Sequence, residues 1–194
     1  MTVRETADVR RRSLIEATSL CLAERGASGA SVRTICARAG VSPGLLRHYF
    51  DGIDALIAET YRDVTGRVSA TLTAAAEAVG EDPRARLVAF VTASFGPPIA
   101  DRTLLATWLA FWSLVKTDPA IAEIHRQTYQ DYRATLETLL RCCGLAATEA
   151  GSAAIALTAL VDGLWLELSL DPSAFTREEA SMMAVRWLDA LLEP

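Results

Sequence analysis

An all-helical protein is predicted for this chain of 194 residues, and three observations carry the prediction. Apolar residues recur at helical spacing in one segment after another, and no convincing alternation of apolar and polar residues marks a strand. Gly, Ser-Pro and Asp-Pro fall between these segments, where helices stop and start. The apolar content of 51% suffices for a helical body plus a small appended module. No apolar run reaches the length of about eighteen residues that a membrane span needs, and Arg4, Glu5, Asp8 and Arg10 to Arg12 interrupt any hydrophobic leader. A cytoplasmic protein without membrane contact is therefore expected.

The first helix is expected from about Thr6 to Glu24, with Leu14, Ile15, Thr18, Cys21 and Leu22 as its inward stripe and Arg25-Gly26 as its stop. The second covers about Val32 to Ala39: Ser31 can cap it, Val32, Ile35 and Ala39 supply an inner face, and Gly40 can end it with positive φ. Ser42-Pro43 opens the third, to about Phe50, because serine is a preferred cap and proline suits the first helical position. A long fourth helix, about Ile53 to Val79, follows. Asp82-Pro83 starts a fifth, which Gly96-Pro97-Pro98 breaks, since proline supplies no donor and disfavours a helical residue before it. The sixth spans about Thr103 to Lys116, and the seventh runs from Asp118-Pro119 to Gly144.

An eighth helix, about Thr148 to Leu170, is so rich in Ala, Leu and Gly that it can hardly have a wet face. The ninth, about Thr176 to Leu192, is apolar on more than one side through Met182, Met183, Val185, Trp187, Leu188, Leu191 and Leu192. Either a partner covers the excess, with Leu157, Leu164, Leu168, Met182, Val185 and Leu188 as the candidate dimer face, or both faces are buried within one protomer.

The net charge of -5 conceals a segregation. Residues 1–50 hold eight Arg and four acids, +4, while the remainder holds eleven basic and twenty acidic residues, -9. A basic module on an acidic body suits a protein that touches DNA with one end only. Cys21, Cys36, Cys142 and Cys143 make no CxxC pair and have no histidine at zinc spacing, so neither a metal nor any other cofactor is expected. Cys142-Cys143 can be a thiol sensor or simply a helix end. His48 and His125 are the only histidines, and no nucleophile motif accompanies them, so no catalytic residue is assigned and an enzyme is not expected.

Residues 31–50 spell two short helices, a glycine turn and a basic, aromatic tip, which together make a helix-turn-helix. Thr34, Ile35-Cys36, Ala39-Gly40-Val41-Ser42, Gly44 and His48-Tyr49-Phe50 resemble the pattern of the TetR family of repressors. The resemblance implies a DNA-binding domain over 1–52, an effector-binding and dimerisation domain over 53–194, and a homodimer on palindromic double-stranded operator DNA. It implies that Ser42, Pro43, Gly44, Leu45 and Arg47 approach the major groove while His48 and Tyr49 reach phosphates. Arg47 is the side chain there able to contact guanine in bidentate fashion. Arg33, Thr34 and Arg10 to Arg12 can meet the phosphate backbone. The latter trio can equally be a solvated helix end, and Phe50 and the Tyr49 ring can equally be packing groups. One departure stands out: many family members carry a lysine three residues after the phenylalanine, where this chain has Ile53 between Asp51 and Asp54.

A second cluster lies in the body: Trp108-Leu109-Ala110-Phe111-Trp112, then Tyr129 and Tyr132, then Leu160-Val161-Asp162-Gly163-Leu164-Trp165-Leu166. The first and last runs resemble those of the choline-responsive repressors within that family. Trp108 and Trp112 are one helical turn apart with Phe111 beside them, so they can belong to an aromatic cage for a quaternary ammonium, or be core. Asp162, in an otherwise apolar helix, needs a partner, either a ligand cation or a buried arginine. The expected effector site is Trp108, Phe111, Trp112, Tyr129, Asp162 and Trp165, taking a choline-like or other cationic amine. A hydrophobic effector in an unrelated pathway, or a helical dimer without DNA, are the competing readings.

Overall fold

A computed structural model describes residues 3–193 and contains, among them, nine α-helices and no strand. These are α1 (Val3–Gly29), α2 (Val32–Ala39), α3 (Pro43–Tyr49), α4 (Gly52–Ala78), α5 (Pro83–Ala93), α6 (Arg102–Leu114), α7 (Pro119–Cys142), α8 (Ala147–Leu170) and α9 (Arg177–Leu192). The helices fall where the punctuation of the sequence puts them. At the end of α1, Gly26 at φ 66° and ψ -175° breaks the helical path, and one further turn reaches Gly29.

The chain forms two compact units. The first comprises residues 3–66 and Ala106–His125, the second Arg67–Leu105 and residues 126–193, so α4, α6 and α7 contribute to both. The first unit thus extends beyond the expected boundary at residue 52.

The inward stripe of α1, Leu14, Ile15, Thr18, Cys21 and Leu22, is buried as its spacing requires. It meets Ile35 and Cys36 of α2, Leu46 of α3, and Phe50 and Leu56 in one core, with Val32, Ala39, Val41, Tyr49 and Ile53 at its margin. Ile53 therefore serves as packing where the family's lysine would serve as a cation. Burial also holds the Cys36 thiol above its ordinary range, so it behaves as a small apolar group. Tyr61 of α4 stacks on Phe111 of α6, and Thr107 Oγ1 donates to Ser19 O at 3.2 Å, which fixes α6 to α1.

In the second unit, nine residues of α8 are buried, Leu157, Val161, Leu164, Trp165 and Leu168 among them. By length and composition alone α8 is apolar enough to cross a membrane, and one face of it is buried within its own unit. Thr176 and Glu179 form a capping box that starts α9, whose Ala180, Ala184 and Leu188 face inward. An Arg84–Asp189 ion pair joins α5 to α9.

This packing revises the expected dimer face. Leu157, Leu164 and Leu168 of α8 and Leu188 of α9 are buried, and Val185 of α9 is half-buried, because these positions face the interior of their own unit. Of the expected set Met182 remains exposed. Along α8, Ile155, Ala159, Gly163, Leu166 and Leu170 make an exposed apolar row at helical spacing, with the exposed Glu167 beside it.

Candidate functional site

Local chemistry shapes the first unit's helix-turn-helix. Ser31 Oγ accepts from the Thr34 N–H at 3.2 Å, while Thr34 Oγ1 accepts from the Ser31 N–H at 2.9 Å, so the two residues cap α2 reciprocally. Thr34 is thereby placed in the cap. Gly40, at φ 64° and ψ 34°, ends α2 in the left-handed region that a side chain rarely adopts. Ser42 Oγ accepts from the Leu45 N–H at 3.2 Å and Pro43 follows at the start of α3. Leu46, fully buried, anchors α3 to the core. Ser42, Pro43, Gly44, Arg47 and His48 are left exposed, with Leu45 and Tyr49 half-buried. An added methyl at Gly44 would meet only Ser42 Oγ at 3.8 Å, so intramolecular packing does not demand a glycine there.

The arginines divide into two kinds. Arg11 Nη2 donates to Glu59 Oε1 at 2.6 Å, and its guanidinium lies 5.3 Å from the centroid of Phe50. Its hydrogen bond, ahead of the opposing effect of burial, holds the Glu59 carboxyl below its ordinary range. Arg38 pairs with Glu24. Among the described residues Arg10, Arg12, Arg33 and Arg47 make no ion pair. Arg11 is thus an internal strut, whereas the expectation for the trio treats all three arginines alike.

The six expected effector residues do not share one unit. Trp108, Phe111 and Trp112 belong to the first. There Phe111 stacks on Tyr61 with centroids 4.2 Å apart, and Trp108 meets Tyr61 edge-on at 6.0 Å. Both are buried, and Phe111 gives one face to the Tyr61 stack. Trp112 is half-buried, and its indole N–H has no hydrogen-bond partner.

The second unit gathers Tyr129, Asp162 and Trp165 with Tyr132 of the same sequence cluster, and adds Arg133, Phe90 and Ser94, which sequence reasoning passed over. Tyr129 Oη donates to Asp162 Oδ1 at 3.1 Å. Arg133 sits 5.8 Å from the Tyr129 ring centroid. Tyr132 stacks on Phe90 at 5.6 Å, and Trp165 Nε1 donates to Ser94 O at 2.9 Å. Tyr129, Tyr132 and Arg133 lie three and four residues apart on one face of α7, a spacing visible in the sequence. Nothing local points to Phe90 or Ser94.

Electrostatically this cluster is tense. Burial raises the Asp162 carboxyl from an ordinary 3.8 to about 6, against the pull of the Tyr129 hydroxyl and then of Arg133. Burial, and after it the charge of Asp162, push the Tyr132 phenol far above its usual range. The Ser94 side chain, within hydrogen-bonding reach of the phenol, opposes that rise. A carboxylate short of solvation among aromatic rings is an arrangement that a small organic cation would relieve, by pairing with the charge and lying against the rings.

Reader helix, caps and basic tip define a helix-turn-helix transcriptional regulator. Residues 14–60 match the family described as bacterial regulatory proteins, tetR family, and residues 83–193 match the BetI-type transcriptional repressor, C-terminal. The chain belongs to the TetR family, with a C-terminal region of the BetI type. It is 35% identical over 190 residues to the HTH-type transcriptional regulator BetI of Paraburkholderia phymatum, covering 95% of this chain and 94% of that one. The BetI of Burkholderia mallei is 34% identical over 191 residues, covering 96% and 95%. A solved structure from Pseudomonas aeruginosa PAO1, described as a transcriptional regulator, is 46% identical with a TM-score of 0.88, covering 95% of this chain and 91% of that one. A regulator from Saccharomonospora viridis in complex with choline has the same fold, with 20% identity, a TM-score of 0.80 and coverage of 94% and 96%.

Proposed function

We propose that this BetI-type repressor binds a palindromic operator as a homodimer through the exposed start of α3, and that a small cationic amine bound at Asp162 releases it. The observation that carries the effector reading is the desolvated Asp162 carboxylate beside Tyr129 and Tyr132. The choline held by the Saccharomonospora viridis regulator makes choline the first amine to test. The exposed apolar stripe on α8, with Met182 and Met183 of α9, supports a second copy as partner. Two symmetry-related reader helices then suit half-sites about 34 to 36 Å apart.

At the reader, Arg47 is exposed and unpaired at the end of α3, and Gly44 lets backbone approach a groove. Release follows from linkage: the effector weakens operator binding only by its preference for the DNA-incompetent state, and such couplings are typically about 1 to 3 kcal/mol.

Operator titration tests the reading. Saturating choline should raise the operator Kd by about 5- to 150-fold, and no change with choline or any other small amine would defeat the effector assignment. In the same assay Arg47→Ala should cost about 1 to 3 kcal/mol and relax base preference, whereas Arg33→Ala should weaken operator and scrambled duplex alike. Equal losses on both duplexes for Arg47→Ala would refute base reading.

A further inference from the structure

Arg11 stands apart from the arginines on either side of it. Arg10 and Arg12 are exposed, whereas Arg11 is half-buried and makes two contacts at once. Its Nη2 donates to Glu59 Oε1 of α4 at 2.6 Å, and its guanidinium lies 5.3 Å from the centroid of the Phe50 ring. All three residues belong to the first unit. As a source of stability the ion pair is modest, because the Arg11 and Glu59 side chains leave 43% and 31% of their surface in water, and a pair so exposed is worth little. What it joins is the more informative observation.

Phe50 is the corner between α3 and α4. Its N–H donates to Leu46 O at 2.9 Å and closes α3, and its carbonyl accepts from the Gly52 N–H at 2.8 Å, where α4 begins. Of the seven residues of α3, Leu46 alone is buried in the core. One enclosed side chain fixes the position of so short a helix better than its angle, and a second fixed point is needed to stop it pivoting. Phe50, 7% exposed, is that point. The Arg11 guanidinium lies against its ring while holding Glu59, two turns into α4, so α1 clamps the end of α3 and the start of α4 together.

We infer that Arg11 is a positioning residue for DNA recognition: through Phe50 and Glu59 it sets the angle at which α3 meets a duplex, and with it the discrimination between sequences, without itself touching DNA. This rests on the reading of α3 as the reader helix. Hydrogen bonds to base edges are directional and weaken steeply when misaligned. Attraction between a cation and a phosphate falls off slowly with distance and carries no sequence information. An α3 released from its clamp therefore loses its preferred duplex while keeping its general attraction to DNA.

Fluorescence anisotropy with the intact protein tests this on two labelled duplexes, one selected by the unaltered protein from random-sequence DNA and one a scramble of the same composition. Arg11→Gln should weaken binding to the selected duplex by at least about tenfold and to the scramble by no more than about twofold. Its melting temperature should move by no more than about 4 °C. Arg11→Lys, which keeps a cation between Glu59 and Phe50, should retain the discrimination to within about threefold. Glu59→Gln breaks the clamp from the other side and should also weaken the selected duplex about tenfold, although removal of an acid by itself favours DNA of any sequence. Equal losses on both duplexes for Arg11→Gln would make Arg11 a phosphate contact, and a lowered melting temperature with discrimination intact would make it a structural brace. Either result overturns the inference, as does tighter binding of Glu59→Gln to both duplexes. Failure of the unaltered protein to select any duplex would overturn the reader assignment and this inference with it.

Discussion

Replacing Asp162 by asparagine is expected to make the ligand-free repressor more stable at pH 7.5 and blind to cations. The carboxyl titrates near 6 in the folded chain against an ordinary 3.8, so the folded state binds the proton more tightly than the unfolded chain does. The ionised form therefore carries a penalty that is full above pH 6, fades as pH falls from about 6 to about 3.8, and is absent below that range. A shift of this size corresponds to about 3 kcal/mol. In a chain of this length each kcal/mol moves the melting temperature by about 2 to 4 °C. Wild-type protein should gain stability between pH 7.5 and pH 5 by more than Asp162→Asn does. Thermal melts of the pair at both pH values decide the matter, and an identical pH response would remove Asp162 as a desolvated acid. A bound cation should draw the carboxyl back toward its ordinary range, so affinity should fall below pH 6 by up to about tenfold per pH unit.

Phe111→Ala should have the largest effect of any substitution considered, about 3 to 5 kcal/mol of lost stability. The side chain is fully buried and its ring lies flat against Tyr61, with Trp108 edge-on to the same tyrosine. Truncation opens a void beside Tyr61 of α4, and interiors relax only partly. Operator binding should be lost with the fold of the first unit, and denaturant unfolding of the variant should show a lowered midpoint. Unchanged unfolding with weakened cation binding would instead return Phe111 to the ligand site.

The contrast between these two residues explains how far the sequence could be read. The helix-turn-helix was legible because its determinants are local: Ser31 and Thr34 cap across three residues, Gly40 takes a conformation few others tolerate, and Ser42-Pro43 opens α3 unaided. Asp162 was legible as a charge in an apolar helix. The aromatic run 108–112 was not, because whether a ring is core or cage depends on what lies across from it, and Tyr61 is 47 residues from Trp108 and 50 from Phe111. Tyr132 takes its surroundings from Phe90 and Ser94, which lie about forty residues earlier in the chain and which no local spacing encodes. On α8 the helix is apolar nearly all round, so composition could not choose between the buried Leu164 and Leu168 and the exposed Leu166 and Leu170, two positions away.

Arg11 carries a consequence for how the reader competes with dissolved ions. DNA sheds condensed counterions only where a protein cation neutralises a phosphate, each such contact adding about 0.9 to the dependence of log affinity on log salt. Eight arginines precede residue 50, yet Arg11 is matched by Glu59 and Arg38 by Glu24. Their charge is spent inside the protein. Ionic strength should therefore weaken the operator complex less steeply than the arginine count implies, leaving a larger share of affinity to contacts that read bases.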